Sequence, residues 1–330
     1  MTENTTPSAV AVPRPPGRPR PARPATPRVA ADLRELQARA RVAARYGVRP
    51  EDADDAAPGV ASALTRALAT SHGAAHPGAP AGGPAALDVQ LGHRSVRAFL
   101  PGPLEPWVLP TVVAAAQSAP SSSNLQLWSV VAVTDRDRLA RVAALAGHQE
   151  HVRDAPLLLV WVADVARARE LGAQDGVELE AAGYLETTVV AFLDAALAAQ
   201  NAVVAAESLG LGTVYVGAVR NHPEDLAAEL GLPPGAVAVV GLAVGHPDPD
   251  HAPRVKPRLP QDAVLHRETY DEGRVAHVAD YAPRIDAFYR DERLDGSWSR
   301  RVVDRLRGGG SLKGRERLRE ALTALGLPSR

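Results

Sequence analysis

The stretch AQNAVVAAESLGLGTVYVGAVRN, Ala199–Asn221, decides the fold, because it joins the end of a long apolar helix to a short strand. The apolar run at residues 185–209 predicts the helix, and the glycine at position 210 predicts its end. The β-branched and aromatic residues at 213–216 predict the strand. That strand ends at Gly217, where the absence of a side chain lets a flat ligand approach the backbone.

Outward from this unit, apolar strands alternate with helices along the chain. Apolar runs predict further strands at residues 129–134, 157–162 and 237–244. Helical periodicity, an Asp135 cap and two initiating prolines predict helices at residues 88–92, 107–118, 135–145 and 223–230, with an extended segment at 93–99. Strands separated by helices imply a sheet with helices packed on it.

The composition narrows the classes of function. Hydrophobic residues make up 45% of the 330 residues, which is enough for a sizeable core. The chain has no cysteine, which excludes disulfides, thiolate metal sites and a cysteine nucleophile, and which suits a cytoplasmic location. The formal net charge of −1 gives no overall attraction to nucleic acid or to an anionic membrane. The apolar segment at 185–209 includes Asp194 and Glu207, so it is interpreted as a buried helix rather than a membrane span.

Three regions follow from the distribution of residue types. Residues 1–30 contain eight prolines and a single acidic residue, and they are predicted to form a disordered arm rich in proline and arginine. A solvated tail is the favoured interpretation of this arm, and a basic arm for an acidic partner is the alternative. Residues 31–84 predict a helical extension, with helices at 31–46 and 60–69, followed by a Gly/Pro-rich linker. Residues 85–330 predict the main domain, whose polar tail from residue 262 suits wrapping a partner subunit better than building its own core.

Two basic segments are candidates for binding an anion. In the extended segment His93–Arg97, alternate side chains share a face, so two cationic donors and a hydroxyl point the same way. In KPRLP, Lys256–Pro260, the prolines stiffen the backbone and hold two cations at a fixed separation. An exposed basic strand and a solvated basic loop have the same patterns, so neither segment decides the function alone.

Several common sites lack their signatures. The chain has no GxGxxG after a strand, no GxxxxGK[ST] and no GxSxG elbow. His148 and His151 lie three residues apart without clustered acids or thiolates, so no metal site is predicted. The polar loop SSSNLQLW that follows Pro120 is, by itself, interpreted as a helix-to-strand connection rather than a binding site.

The combination and order of these motifs resemble the flavin-dependent nitroreductase superfamily, and within it the NADPH-dependent nitroreductase and flavin reductase group. The similar strings are GHRSVRAF, SSSNLQ, GHQEHV, AQNAVVAAESLGLGTVYVGAVRN, GLAVGHP and KPRLP. They run in family order from about Gly92 to Pro260, and residues 1–84 lie outside the resemblance. The resemblance implies an α+β fold, with a sheet sandwiched by helices, and an intertwined homodimer that binds FMN at its interface.

The resemblance also implies which residues bind FMN. The phosphate, ribityl chain and pyrimidine end should be lined by His93, Arg94, Ser95, Val96 and Arg97. The second subunit should contribute Ser121, Ser122 and Ser123. The flavin ring should be approached by Gln149, Tyr215, Val216, Gly217 and Ala218, and its phosphate by Lys256, Pro257 and Arg258. This group usually has a second glycine where Ala218 stands, so that contact departs from the pattern.

The implied activity is hydride transfer from NADPH to FMN, followed by reduction of a nitroaromatic, quinone or flavin acceptor. Arg97 is the residue expected to place positive charge near the reduced flavin. Arg290 and Arg293, shortly before the Trp298-Ser299 pair, are expected to read the 2′-phosphate of NADPH, although a solvated charged loop would look the same. A flavin-binding or storage protein without turnover is the alternative function.

Overall fold

A computed structural model describes residues 86–330 of the chain. Its strands are β1 Trp128–Val133, β2 Leu157–Asp164, β3 Gly212–Val216 and β4 Ala236–Gly245. Its helices are α1 Ala86–Gly92, α2 Val108–Gln117, α3 Arg136–Leu145, α4 Glu150–Asp154, α5 Ala166–Gln174, α6 Leu185–Ser208, α7 Pro223–Leu230, α8 Val278–Asp291, α9 Trp298–Leu306 and α10 Leu318–Ala324. The predicted arm at 1–30 and the predicted extension and linker at 31–84 lie outside the described residues.

The four strands form one antiparallel sheet in the order β1-β2-β4-β3. The two central strands, β2 and β4, are apolar along almost their whole length and are buried on both faces. Neighbouring residues of β2 pack against the helix layers on opposite faces of the sheet, because successive side chains of a strand point to opposite faces. Leu159 and Trp161 pack with α2 and α6, whereas Leu158 and Val160 pack with α3 and α7. This arrangement confirms the predicted α+β sheet sandwiched by helices.

The long helix α6 is the central helix of the fold and packs through small side chains. Four of its buried alanines lie in the layer between α2 and the sheet, at positions Ala198, Ala199, Ala202 and Ala206. Among the described residues, α6 is the one helix that is long and apolar enough by composition to cross a membrane. Its burial against the sheet agrees with the interpretation of this segment as a core helix.

Most predicted elements from residue 85 onward are present, with ends shifted by one or two residues. The Asp135 cap is confirmed, since its carboxylate accepts a 2.8 Å hydrogen bond from the backbone N–H of Arg138. Five helices were not predicted, namely α4, α5 and the tail helices α8, α9 and α10. Helix α4 is only one turn long, and α5 has a mostly polar sequence with little apolar periodicity, so neither produces a clear pattern.

The C-terminal tail differs in part from the expectation that it would not build a core of its own chain. Tyr281, Ile285 and Tyr289 of α8 form a small buried cluster. Farther on, Leu327 is fully buried in the core beside α6, and the backbone of Arg330 pairs with that of Gly183. The tail therefore closes one end of its own domain. Its wrapping of a partner stays a prediction.

Candidate functional site

The segment His93–Phe99 runs beside strand β3. The backbone N–H of Val96 donates to the carbonyl of Thr213 at 2.9 Å, and Ser95 pairs with Thr213 as a parallel bridge. Val96 is buried against Gly212, where an added Cβ would lie 2.8 Å from the valine side chain. Packing of Val96 therefore fixes the segment and leaves Arg94 and Arg97 exposed on either side of it.

A carboxylate that was not singled out as a site residue orients His93. The imidazole Nδ1 lies 2.7 Å from Oε1 of Glu207, near the end of α6, and the hydroxyl of Thr213 donates to the same oxygen at 2.7 Å. Thr213 is fully buried, so this arrangement is anchored in the sheet. Because Nδ1 is engaged, His93 is left with Nε2 for a ligand. An acidic residue on an otherwise apolar helix was the signal that could have identified Glu207.

The serine loop has a structural anchor of its own. The hydroxyl of Ser121 donates to the carboxylate of Asp194 at 2.7 Å and accepts from the backbone N–H of Gln126 at 2.7 Å. Ser122 and Ser123 are exposed, and Ser123 has a positive φ of 48°. Asp194 and Glu207 are thirteen positions apart on α6, which corresponds to about 20 Å along a helix. One chain therefore does not bring its own serine loop to its own His93.

The Gln149 segment lies close to Arg97. The side chain of Gln149 donates to the carbonyl of Ala146 at 3.0 Å and directly precedes α4. Nε2 of His151 is buried and has no hydrogen-bond partner among the described residues. Burial and then the charge of Arg97 lower the pKa of His151, so its imidazole stays neutral at physiological pH.

At the end of β3, the backbone turns through residues 217–220. Gly217 has no side chain of its own and is partly exposed, and the preceding Val216 is buried. The hydroxyl of Tyr215 lies 3.3 Å from Oε1 of Gln200, and partial burial followed by the charge of Glu207 raises its pKa. Ala218, which stands where this group usually has a glycine, packs partly against the core between the sheet and α3. Its methyl group is accommodated there.

Two further arginines flank Gly217. An added Cβ there would lie 3.5 Å from Nη2 of Arg220 and 3.8 Å from Nη1 of Arg315. Arg220 donates to the carbonyl of Val239, and burial followed by the charge of Arg315 lowers its pKa. Neither arginine was among the predicted site residues. Arg220 lies inside one of the family-like strings, but nothing in the sequence placed Arg315 beside it.

The Lys256–Arg258 segment joins the same region as His93–Arg97. Pro257 is buried, and its carbonyl accepts a 3.2 Å hydrogen bond from the hydroxyl of Tyr281. Arg94 and Pro257 line one surface cavity. Burial lowers the pKa of Lys256, and so do the nearby charges of Arg97, Arg258 and Arg301. The fold thus brings together two basic motifs that are far apart in the chain.

The two arginines expected to read NADPH lie at the end of α8. Arg290 and Arg293 are exposed, and their side chains make no hydrogen bond or ion pair within residues 86–330. Of the three acids nearby, two are engaged by Arg254, whose Nη2 lies 3.2 Å from Asp291 and whose Nε lies 2.6 Å from Glu292, whereas Asp295 forms no ion pair within residues 86–330. The acids therefore compete less with a bound phosphate than the sequence indicates. The role of the two arginines stays a prediction.

No group of three or more metal-ligating side chains is clustered in the described part of the chain. His148 and His151 are therefore not joined there by further His, Asp or Glu ligands.

Comparison with known proteins identifies the class to which this fold and site belong. Residues 91–246 match the Nitroreductase family, and residues 256–330 match the Nitroreductase family, C-terminal domain. The chain is 34% identical over 225 residues to the NADPH-flavin oxidoreductase of Vibrio harveyi, an alignment that covers 67% of this chain and 91% of the relative. It is 38% identical over 219 residues to an FMN reductase [NAD(P)H] of Bacillus subtilis, covering 64% of this chain and 86% of the relative.

Solved structures agree. The NADPH:FMN oxidoreductase of Vibrio harveyi in complex with NAD+ superposes with a TM-score of 0.67 at 33% identity, over 74% of this chain and 99% of that chain. Nitroreductase A of Vibrio parahaemolyticus gives a TM-score of 0.68 at 33% identity, with the same coverage of 74% and 99%. The chain belongs to the nitroreductase family, as its motifs predicted.

Proposed function

We propose that this protein is an NADPH-dependent FMN oxidoreductase that passes two electrons to nitroaromatic, quinone or flavin acceptors. One structural observation carries the proposal. Within residues 86–330, Arg97, Lys256 and Arg258 lie in one electrostatic neighbourhood, and none of them forms an ion pair with a carboxylate. Glu292 is the carboxylate that also acts on Lys256, but it is paired with Arg254, so three cations at one place suit a phosphate dianion. The names of the relatives, NADPH-flavin oxidoreductase and FMN reductase, support the same assignment.

The remaining residues also suit FMN. Gly217 offers backbone without a side chain, which a flat ring system can approach. The buried Nε2 of His151 has no hydrogen-bond partner among the described residues. The polar edge of the flavin ring can supply one. FMN, when bound, supplies the redox chemistry, since it can take a hydride from NADPH and deliver two electrons to an acceptor.

The protein's own groups then have supporting tasks. Arg97 holds positive charge that favours a reduced, anionic cofactor over an oxidised one. Glu207 and Thr213 hold the imidazole of His93 in one orientation toward its ligand. Tyr215 keeps its proton across the physiological range, and its raised pKa moves it further from ionisation. No protein nucleophile is needed for this reaction.

A homodimer with FMN at its interface is part of the proposal. Four large apolar residues of α6 are exposed at four-residue spacing, which puts them in a row on one side of the helix, namely Leu185, Val189, Leu193 and Leu197. A second copy of the chain would bury this row. It would also bring its Ser121–Ser123 loop to the first chain's His93, which one chain does not do alone.

A charge in this row tests the dimer. Leu193 is 56% exposed, so Leu193→Glu is compatible with the folded single chain but not with a buried apolar interface. We expect Leu193→Glu to sediment as a monomer and to lose FMN. Gln174→Glu adds the same charge on α5 and serves as the control. A wild-type chain that sediments as a monomer while retaining FMN would contradict the interface site.

Turnover decides between the enzyme and the storage protein. Purified protein should be yellow, and NADPH should bleach its flavin absorbance under anaerobic conditions until an acceptor restores it. A panel of nitro compounds, quinones and free flavins would then identify the acceptor class. Flavin that binds but is not reduced by NADPH would favour the non-catalytic alternative, and failure to bind FMN at all would refute both.

The phosphate site has a matched pair of variants. Arg258 has no carboxylate partner, so Arg258→Gln should weaken FMN binding by about tenfold or more. Arg254 lies four residues earlier and is already paired with Asp291 and Glu292, so Arg254→Gln should change the affinity by less than about threefold. Equal losses in a flavin titration would contradict the placement of the phosphate.

A cytoplasmic location is part of the proposal. A protein without cysteine that uses NADPH suits the cytoplasm. Small-molecule acceptors, rather than nucleic acid or a membrane, are the proposed partners besides a second copy of the chain.

A further inference from the structure

We propose that Arg301, on helix α9 of the C-terminal segment, is a fourth cation of the FMN phosphate site. The inference rests on the proposed function, and it adds a residue that the sequence motifs did not indicate. It follows from the position of Arg301, from the neutral character of its protein partners, and from its neighbours.

The guanidinium of Arg301 is held in place by two neutral groups. It stacks on the ring of Tyr289, with Cζ 4.5 Å from the ring centroid. Its Nε donates to the backbone carbonyl of Asp295 at 3.1 Å, and its Nη2 donates to the same oxygen. Tyr289 is only 7% exposed, so the ring is a fixed platform. These partners orient the arginine without cancelling its charge, and Nη1 is left without a partner.

The same ring connects Arg301 to the phosphate segment. Nζ of Lys256 lies 6.0 Å from the centroid of Tyr289 and 5.9 Å from that of Phe288. The charge of Arg301 lowers the pKa of Lys256, after burial and the charges of Arg97 and Arg258. Arg301 therefore stands in the same electrostatic neighbourhood as the three cations already assigned to the phosphate.

Two other cations of this region are compensated by carboxylates. Arg254 is bound by Asp291 and Glu292, and Arg300 lies 3.6 Å from Asp304. Arg301, by contrast, has no carboxylate partner among residues 86–330. Glu292, which is itself paired with Arg254, is the carboxylate that acts on Lys256, so the four cations still repel one another and are stabilised by a bound anion. A phosphate monoester, with a charge of about −1.5 to −2 near neutral pH, is an anion of sufficient charge.

The proposal couples the C-terminal segment to the cofactor. Arg301 belongs to the short helix α9, whose contacts within the described residues are chiefly with residues 309–312 and with α8. If the arginine binds the phosphate, loss of FMN should loosen α9. Amide exchange in residues 298–306 should therefore be slower in the holoprotein than in the same chain stripped of flavin.

The test compares Arg301→Gln with Arg300→Gln, its exposed and ion-paired neighbour. FMN affinity is measured by flavin fluorescence on dilution of the holoprotein, and riboflavin affinity by titration of the stripped full-length chain. We expect Arg301→Gln to weaken FMN by about tenfold and to leave riboflavin within about twofold, because riboflavin lacks the phosphate. Arg300→Gln should change neither by more than about twofold. Arg301→Lys should retain most of the FMN affinity.

Three results would overturn the inference. Equal weakening of FMN and riboflavin by Arg301→Gln would show that the residue acts on the fold rather than on the phosphate. Unchanged FMN affinity with a raised KM for NADPH would assign Arg301 to the dinucleotide. An Arg300→Gln variant that loses FMN as strongly as Arg301→Gln would show a diffuse charge effect. In each case wild-type protein that binds FMN and oxidises NADPH leaves the proposed function intact.

Discussion

Replacement of Asp194 is predicted to release the serine loop and to destabilise the domain. Its carboxylate is only 2% exposed and lies in the middle of the apolar helix α6. Oδ2 accepts hydrogen bonds from the hydroxyl of Ser121 at 2.7 Å and from the backbone N–H of Leu127 at 3.1 Å. Oδ1 accepts from the backbone N–H of Ser122 at 3.2 Å. One side chain thus holds both ends of the loop 121–127.

The magnitude follows from which donors water can reach after the change. In Asp194→Ala, Ser122 is exposed and recovers a partner from solvent, but Leu127 is 4% exposed and keeps a buried, unsatisfied N–H. Hydrogen bonds to a charged group contribute about 1.5–3 kcal/mol each, and a stranded donor costs about 1–3 kcal/mol. We therefore expect a loss of about 3 kcal/mol in the free energy of unfolding. Asp194→Asn can keep the two bonds at Oδ2 but turns its amide toward Ser122, so it should lose about 1–2 kcal/mol.

Thermal unfolding at fixed protein and FMN concentration measures the effect. For a domain of this size, about 3 kcal/mol corresponds to a fall in Tm of about 6–12 °C for Asp194→Ala. Glu170→Gln, an exposed acid on α5, is the control and should shift Tm by less than about 2 °C. A Tm for Asp194→Ala that stays within about 2 °C of wild type would refute the anchoring role.

Three further outcomes are expected. Gly212→Ala places a Cβ 2.8 Å from Val96, so it should displace the segment 93–99 and weaken FMN by about tenfold in a flavin titration; unchanged affinity would show that the segment adjusts. Ala218→Gly should lower the free energy of unfolding by about 0.5–1 kcal/mol and leave FMN affinity within about twofold, since its methyl packs partly in the core; a tenfold change in affinity would place the methyl against the flavin. Arg290→Ala or Arg293→Ala should reduce the NADPH-to-NADH ratio of kcat/KM by about fivefold or more, and steady-state kinetics with no change in either variant would assign cofactor choice elsewhere.

The sequence predicted most of the sheet because its strands are recognisable as apolar runs. Strand β2 reads LLLVWVAD and β4 reads AVAVVGLAVG, and short apolar runs rich in β-branched residues are typical of buried strands. The short helix α4 and the polar helix α5 lacked such a pattern. In the tail, the burial of Leu327 depends on a contact with α6 that local sequence does not reveal.

For the candidate site, the local sequence identified the hydrogen-bond donors, and the fold determined which residues lie beside them. The basic character of HRSVR and KPRLP is visible in the residues themselves, and so is the freedom of the backbone at Gly217. The pairing of His93 with Glu207 and the position of Arg315 beside Gly217 join residues distant in sequence, and the stacking of Arg301 on Tyr289 joins two different helices. Their relative positions depend on how the helices pack on the sheet.

The sequence by itself therefore determined the fold class, the family and the kinds of ligand that its motifs suit. Those properties depend on local periodicity and on short strings whose chemistry is carried by neighbouring residues. Only the tertiary structure decided which charges remain uncompensated. The sequence shows only that a residue is an arginine. It does not show whether a carboxylate lies beside the side chain, as for Arg254, or a neutral ring, as for Arg301. The electrostatic field at a site is a sum over distances in space, and those distances exist only once the chain has folded.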